Sequence, residues 1–224
     1  MKKLFLIIAL AAAGLTPTYA QKANSAGEKA DYLQVISKRA DKIVSVLGIT
    51  DSVKFKRVQG VVMGQYENLS AIHDARNARV KEIKQQTGID KTAINAQIAA
   101  IDSTVDVQLN NLHAQYLSKL GSELTADQID KVKDVMTYKI LPLTYNAYLD
   151  ELPALTETQK LKIKTWLTEA REHAIDAESS EKKHAWFGKY KGRINNYLSA
   201  QGYDMKKAGI EWQKRIKEKN EQKG

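Results

Sequence analysis

The stretch VKEIKQQTGIDKTAINAQI, residues 80–98, decides the fold class of this chain. On both sides of it, apolar residues recur at intervals of three and four, which is typical of helices that pack along a shared seam. Within it, Gly88 is placed to end one helix and Asp90 to cap the next. So short a connection predicts two antiparallel neighbouring helices, at about 51–86 and 91–120, on the order of 45–50 Å long.

The seam residues of these two helices follow from the same spacing. In the first helix they are Phe55, Val58, Val62, Tyr66, Leu69, His73, Arg76, Val80 and Ile83. In the second they are Ile94, Ile98, Ile101, Val105, Leu109, Leu112 and Tyr116. Helical spacing continues through almost the whole chain, and no stretch of five residues alternates as a strand does. The fold class predicted is an all-α array of six or seven helices that includes this long antiparallel hairpin.

The other helices are predicted from their start and stop signals. They lie at about 28–47, 125–149, 156–177, 181–200 and 204–219. Pro142 removes one backbone donor, so we expect it to kink or end the helix at 125–149.

The first twenty residues, MKKLFLIIALAAAGLTPTYA, have the pattern of a secretory signal peptide that is cleaved after Ala20. Their apolar run is shorter than the roughly 20 residues that a membrane-spanning helix needs. We therefore expect an exported protein, periplasmic or secreted, with one all-helical domain at 21–224 and no transmembrane segment after cleavage. The chain contains no Cys, which excludes a lipoprotein and disulfides.

The chain is basic, with 35 Lys and Arg against 26 Asp and Glu. Removal of residues 1–20, where Lys2 and Lys3 are the only charged side chains, lowers the formal charge from +9 to +7. An exported protein seldom meets nucleic acid, so we expect no nucleic-acid partner. Anionic glycans or an anionic membrane surface suit the same electrostatics better.

Motifs of common cofactor, metal and enzyme sites are missing. The four His residues share no helix at ligand spacing, and the chain has neither a Gly-rich phosphate loop nor a G-x-S-x-G elbow. Asp102 and Asp106 flank the apolar seam and are expected to face water. We predict no metal and no cofactor, and whether the protein is an enzyme stays open.

A repeated pentapeptide occurs as LTADQ at 124–128 and LTETQ at 155–159. The pattern LTxxQ resembles the signature of a family of small helical periplasmic chaperones, which implies that the protein shields unfolded exported proteins. Thr followed three residues later by Gln is also a capping box, which explains both copies as helix starts.

Polar residues in predicted core positions are the first candidates for a ligand site. His73 and Arg76 lie on the seam of the second helix, where a bundle normally carries Leu or Ile. A buried Arg must pair with a carboxylate, reach solvent or line a cavity. The alternatives are therefore a ligand pocket or an ion pair with an acid such as Asp74 or Glu172.

Aromatic residues supply two further candidate groups. Near Pro142, the segment 138–148 carries Tyr138, Tyr145 and Tyr148, which suit either a pocket or a core. In HAWFGKYKGRINNYL, residues 184–198, one helical stripe holds Trp186, Lys189, Arg193 and Tyr197. Aromatic faces stack on sugar rings, and Arg or Lys can hydrogen-bond hydroxyls or carboxylates. The alternative for this stretch is packing against the last helix.

Three blocks, at 32–49, 66–76 and 184–199, the last followed by Gly202, Tyr203 and Asp204, resemble a family of exported all-helical proteins of polysaccharide-using bacteria. The family is a domain of unknown function described as sugar-binding, and the resemblance covers nearly the whole mature chain. It implies an accessory protein of polysaccharide utilisation that binds or processes carbohydrate. The basic residues of 184–198 would suit an acidic, anionic sugar.

The function expected from the residues and the resemblance together is carbohydrate binding in one pocket between the long hairpin and the helix at 181–200. Its predicted ligand residues are Tyr66, His73, Arg76, Tyr145, Trp186, Lys189 and Arg193. The alternatives are an LTxxQ-like chaperone and a lyase or hydrolase for an unusual sugar derivative, with His73 and a Tyr as the proton-transfer pair.

Overall fold

The computed structural model describes residues 18–221 of the chain, with side chains from residue 28 onward. Residues 1–17, which hold most of the predicted signal peptide, lie outside the described residues. Eight helices are described: α1 Thr18–Ser45, α2 Ser52–Lys84, α3 Lys91–Gly121, α4 Ala126–Met136, α5 Ile140–Glu151, α6 Glu157–Ile175, α7 Ser180–Ala200 and α8 Met205–Glu221. This part of the chain contains no strand, so the predicted all-α class is confirmed. None of its helices is long and apolar enough to cross a membrane.

The predicted count of six or seven helices is wrong, because the segment 125–149 forms two helices. α4 ends at Met136, before Pro142 is reached. The hydroxyl of the next residue, Thr137, donates to the Lys133 carbonyl one turn back (2.7 Å). The backbone then becomes left-handed at Tyr138 (φ 58°) and Lys139 (φ 56°). Pro142 is the third residue of α5, where a helical N–H has no partner within the helix, so the proline fits the new helix and the break precedes it.

Packing of α2 against α3 is the most extensive helix pair contact along the chain, and residues 85–90 connect the two helices. Arg57 pairs with Glu123 (2.7 Å), and Arg76 pairs with Asp102 (2.8 Å). The later residue of α2 thus meets the earlier residue of α3, so the two helices run in opposite directions. An aspartate N-cap begins each of them.

Two apolar clusters form the core of the described chain. The first is built mainly by α1 to α4, with Ala40, Ile43, Val44, Val58, Val62, Tyr116, Leu120 and Val132 among its members. The second is built by α5, α6 and α7, with Leu141, Tyr148, Ile163, Leu167, Phe187, Ile194 and Leu198. α6 belongs to both, since its last residue, Ile175, joins the first cluster. The end of α6 and its connection to α7 therefore lie where the clusters meet.

Candidate functional site

Two cavities flank the connection between α6 and α7, residues 176–179. We call the first the His113 cleft; it measures about 690 Å³, and its lining includes His73, Arg76, His113, Glu172, Asp176 and Trp186. We call the second the Lys183 cavity; it measures about 840 Å³, and its lining includes Arg39, Lys42, Tyr66, His73, Lys139 and Lys183. His73 lines both. Both volumes are in the range of small-molecule sites.

His113 is the central charged group of the His113 cleft. Its Nδ1 lies 2.7 Å from Asp176 Oδ2, and its Nε2 lies 3.3 Å from Glu172 Oε2. These hydrogen bonds, first with Asp176 and then with Glu172, raise the pKa of His113 to about 9. At neutral pH the ring is therefore an imidazolium that donates from both nitrogens to carboxylates.

Glu172 joins His113 to the helix α4. Its Oε2 accepts from the Lys133 ammonium at 2.7 Å. Burial alone would raise the pKa of Glu172, but the hydrogen bonds from His113 and Lys133 outweigh it and lower the pKa to about 2. The carboxylate is thus held ionised between two cations.

Arg171 continues this network on the far side of Glu172. Its buried guanidinium donates to Asp134 (2.7 Å) and to Asp130 (2.6 Å). At the outer edge of the cleft, Arg76 pairs with Asp102 across the two long helices. Among the described residues, the exposed Lys182 at the rim is the only Lys or Arg lining the cleft that lacks a carboxylate partner.

His73 lies between the two cavities in a defined tautomer. Its Nε2 lies 2.8 Å from the backbone oxygen of Asp176, and because a carbonyl only accepts, Nε2 carries the proton. In the neutral ring, Nδ1 is then an acceptor, and it lies 3.8 Å from Glu178 Oε2. A ring nitrogen that accepts beside a cavity is suited to act as a base in the neutral form of the ring.

Trp186 forms an aromatic wall of the His113 cleft. Its indole stacks on the His173 ring, with centroids 4.4 Å apart and an angle of 14° between the planes. Lys189 Nζ lies 5.0 Å from the indole centroid. Trp186 is only half-buried, so part of its apolar surface remains open to the cleft.

Lys183 gives the second cavity its distinct electrostatics. The side chain is buried, and its ammonium donates to the Met136 carbonyl at 3.1 Å. Burial lowers the pKa of Lys183 to about 8. No carboxylate of the described residues lies within ion-pair distance of its Nζ.

Tyr66 lies between two of the cations of the Lys183 cavity. Arg39 Cζ and Lys183 Nζ each lie 6.0 Å from the centroid of its ring. Burial raises the pKa of Tyr66 to about 12, so the phenol is protonated. Its hydroxyl makes no hydrogen bond to the residues that the structure describes, which leaves both a donor and an acceptor for a ligand.

Tyr138 and Lys139 place strained backbone at the rim of the Lys183 cavity. The Lys139 N–H donates to the Asp134 carbonyl (2.6 Å) and the Tyr138 N–H to the Val135 carbonyl (3.2 Å), which is a Schellman end for α4. Glycine is the usual residue at such a left-handed position. Non-glycine residues held there are enriched at functional sites.

The structure brings together only some of the seven predicted ligand residues. His73, Arg76 and Trp186 line the His113 cleft, and Tyr66 and His73 line the Lys183 cavity. Tyr145, Lys189 and Arg193 line neither. Tyr145 packs against the second core cluster. Arg193 Cζ lies 4.4 Å from the centroid of the Trp166 ring, and Arg193 Nη1 lies 3.4 Å from Glu169 Oε2.

Sequence reasoning missed His113, Glu172 and Asp176 as a group. Glu172 and Asp176 are one helical turn apart, which is a weak signal, whereas His113 is 63 positions away from Asp176 and only tertiary packing joins them. Asp102, which was expected to face water, is the actual partner of Arg76. No group of three or more His, Asp or Glu side chains suited to a metal ion occurs among the described residues.

Both LTxxQ copies form capping boxes. Thr125 and Gln128 begin α4, and Thr156 and Gln159 begin α6, with each side chain bonded to the backbone of the other. Helix capping therefore accounts for both copies of the motif.

The family described as "Protein of unknown function (DUF3826)" matches residues 33–218. The chain belongs to this family, whose description names neither a ligand nor a reaction. No curated protein matches the chain.

Proposed function

We propose that this member of the DUF3826 family is an exported carbohydrate-binding or carbohydrate-processing protein of polysaccharide utilisation, with the His113 cleft as its sugar site. The observation that supports this most is that His73 and Arg76 of α2 and Trp186 of α7 line the same cleft. Export is proposed from the predicted signal peptide, and cell fractionation tests it.

The chemistry of the cleft is suited to a polyhydroxylated ligand. The open part of Trp186 offers apolar surface to the C–H face of a sugar ring. Around it, Asn110, Asp106 and the partly exposed pair of Arg76 and Asp102 offer both donors and acceptors to hydroxyl groups. A few polar groups around apolar surface are the usual make-up of a small-molecule site.

Calorimetric titration with a panel of plant and host polysaccharides tests this proposal. For a glycan that binds the wild type, we expect Trp186→Ala and His73→Ala each to weaken binding at least tenfold. Trp212→Ala is the matched control, because Trp212 lies on α8 outside both cavities and donates to Asp150. Absence of any binding glycan, or an equal loss in the control, would contradict the proposal.

Turnover of the bound sugar is the second candidate function, and the tautomer of His73 favours it. With Nε2–H donated to the Asp176 carbonyl, Nδ1 of the neutral ring can accept a proton beside Glu178, and Tyr66 at the adjoining cavity carries an unbonded hydroxyl. Products of an oligosaccharide are measured by chromatography. We expect His73→Ala to lower the rate about a hundredfold, in the range of general-base loss, and Trp212→Ala to leave it unchanged. Products that form equally fast without His73 would exclude this role.

The chaperone alternative stays a hypothesis. The LTxxQ motif does not support it, because helix capping accounts for both copies. It is tested by suppression of aggregation of an unrelated reduced protein. If the chain suppresses aggregation and binds no glycan, the chaperone function replaces the carbohydrate function.

A further inference from the structure

Basic side chains from three separate segments meet at the Lys183 cavity. Arg39 and Lys42 come from α1, Lys139 from the connection between α4 and α5, and Lys183 from α7. Two carboxylates, Asp74 and Glu178, line the same cavity. Four cations against two anions leave an excess of two positive charges at one concave surface.

The cations of this cavity have no carboxylate partners of their own. Among the residues that the structure describes, none of Arg39, Lys42, Lys139 and Lys183 lies within ion-pair distance of an Asp or Glu. The two carboxylates have other neighbours. Asp74 accepts from Ser70 (2.9 Å), and Glu178 accepts from Asn77 (3.4 Å) and lies 3.8 Å from His73 Nδ1.

Lys183 is the most informative of the four, because its charge is buried. It is only 6% exposed, and its ammonium makes a single hydrogen bond, to the Met136 carbonyl. An ammonium carries three N–H donors, so two of them are left without a described partner. Burying a cation is unfavourable unless an anion or further acceptors come to it.

Neutral hydrogen-bonding groups accompany the cations. The Tyr66 hydroxyl is unbonded, and Ser179 and Ser180 line the cavity at the N-terminus of α7, where the helix dipole adds partial positive charge. Tyr138, in its strained left-handed conformation, stacks on His184 at the rim (5.3 Å). The cavity thus offers sites for hydroxyl groups beside its cations.

We infer that the Lys183 cavity binds the carboxylate of an acidic sugar, with the ammonium of Lys183 and the side chains of Arg39 and Lys42 around the anion and Tyr66 on a hydroxyl. The inference goes beyond the proposed function, because it adds a second cavity that adjoins the His113 cleft at His73, and it rests on the proposed function for the sugar part of the ligand. Arg and Lys are the residues that recognise carboxylates by charge-assisted hydrogen bonds.

Matched pairs of acidic and neutral sugars test the inference. Glucuronate is titrated against glucose, and oligogalacturonate against a neutral oligosaccharide of equal length, at low and high salt. We expect the acidic member of a pair to bind at least tenfold more tightly, with an affinity that falls as the salt concentration rises.

Variants of the exposed cations identify the site without risk to the fold. Arg39→Gln and Lys42→Gln are each expected to weaken binding of the acidic sugar five- to tenfold. Lys38→Gln is the matched control, because Lys38 is exposed on α1 one turn from Lys42 and does not line the cavity. Lys183→Met should abolish the preference for the acidic sugar, provided that circular dichroism shows a native helix content.

The outcomes separate the inference from the proposed function. If neutral and acidic sugars bind equally, the inference is wrong and carbohydrate binding stands. A third outcome is that inorganic phosphate stabilises the wild type but not Arg39→Gln, while no sugar binds. The cavity would then be an anion site, but both its assignment to a sugar acid and the proposed function would be wrong. An equal loss in Lys38→Gln would show that only general attraction to a basic surface is at work.

Discussion

The His113 cleft and the Lys183 cavity lie on two sides of one connection and share His73, but their charges are arranged in opposite ways. In the cleft and directly behind it, His113, Lys133 and Arg171 each contact a carboxylate within the protein. In the cavity, Lys183 is buried without one. The charges at the cleft are thus compensated within the protein, whereas the buried charge of Lys183 is kept at a cost to stability, as expected for a ligand site.

The contributions of His113 and Lys183 to the free energy of unfolding should therefore change with pH in opposite directions. The pKa of His113 is raised to about 9, so the folded chain holds a proton that the unfolded chain loses near pH 6.5. The pKa of Lys183 is lowered to about 8, so the folded chain loses a proton that the unfolded chain keeps up to about pH 10.5. Stability falls with rising pH in the first case and rises in the second.

The largest loss of stability is expected for Arg171→Met, which breaks the charge network behind the His113 cleft. Removal of the buried guanidinium leaves Asp134 and Asp130 unpaired. Loss of one partner of a fully buried pair costs about 3–5 kcal/mol; the two aspartates are partly exposed, so we expect about 2–3 kcal/mol. The free energy of unfolding is measured in urea.

Arg193→Met is the control for this change, since Arg193 contacts Glu169 and the Trp166 ring at an exposed site. It should cost less than about 1 kcal/mol. Equal losses in the two variants would mean that the network behind the cleft adds no special stability, and the contrast between the two regions would fail.

The second largest effect on stability is expected for His113→Gln, and its size depends on pH. The contribution of His113 to stability, measured as wild type minus variant, should fall between pH 6.5 and 9, as folded His113 loses the proton shared with Asp176 and Glu172. Discounted for the solvent that reaches the cleft, this loss is about 1–2 kcal/mol. Urea unfolding at pH 6 and pH 9 measures it. If the stability of the variant changes with pH as steeply as that of the wild type, a group other than His113 causes the change.

The helical class and part of the site could be predicted from sequence, because both leave local signals. Apolar spacing of three and four identifies helices, and a polar residue such as His73 or Arg76 interrupting that spacing is visible without a structure. The partners of these residues could not be predicted. His113 meets Asp176 from 63 positions away, and no spacing rule covers contacts between helices that only packing brings together.

The break between α4 and α5 shows the same limit at the level of the backbone. Pro142 is expected to kink or end the helix, and the helix does break, but four residues before the proline, which itself lies in the first turn of α5. The break lies at Tyr138, where a Schellman end holds a residue other than glycine in a left-handed conformation. Sequence rules favour glycine at such a position, so they do not predict a helix end at Tyr138, which lines the cavity.

The third effect is a gain in stability for Lys183→Met. Removal of the buried ammonium relieves its desolvation, and the Met136 carbonyl loses one donor, so the net gain at pH 7 should be about 1 kcal/mol. The rise that Lys183 contributes to wild-type stability between pH 8 and 10.5 should be absent from the variant. Urea unfolding at pH 7 and pH 10 measures both. A loss of stability at pH 7 would mean that Lys183 supports the fold, and the cavity would then resemble the cleft.

The smallest effect is expected for Tyr138→Gly, which removes backbone strain at the rim of the Lys183 cavity. A left-handed residue other than glycine costs roughly 1–2 kcal/mol, and loss of the stacking on His184 offsets part of the gain, so stability should rise by up to about 1 kcal/mol. Gly48→Ala is the reciprocal control, because Gly48 has a φ of 69° and should lose about 1 kcal/mol. If Tyr138→Gly binds acidic sugars as the wild type does, the strain serves no ligand, and only the unpaired cations distinguish the cavity from the cleft.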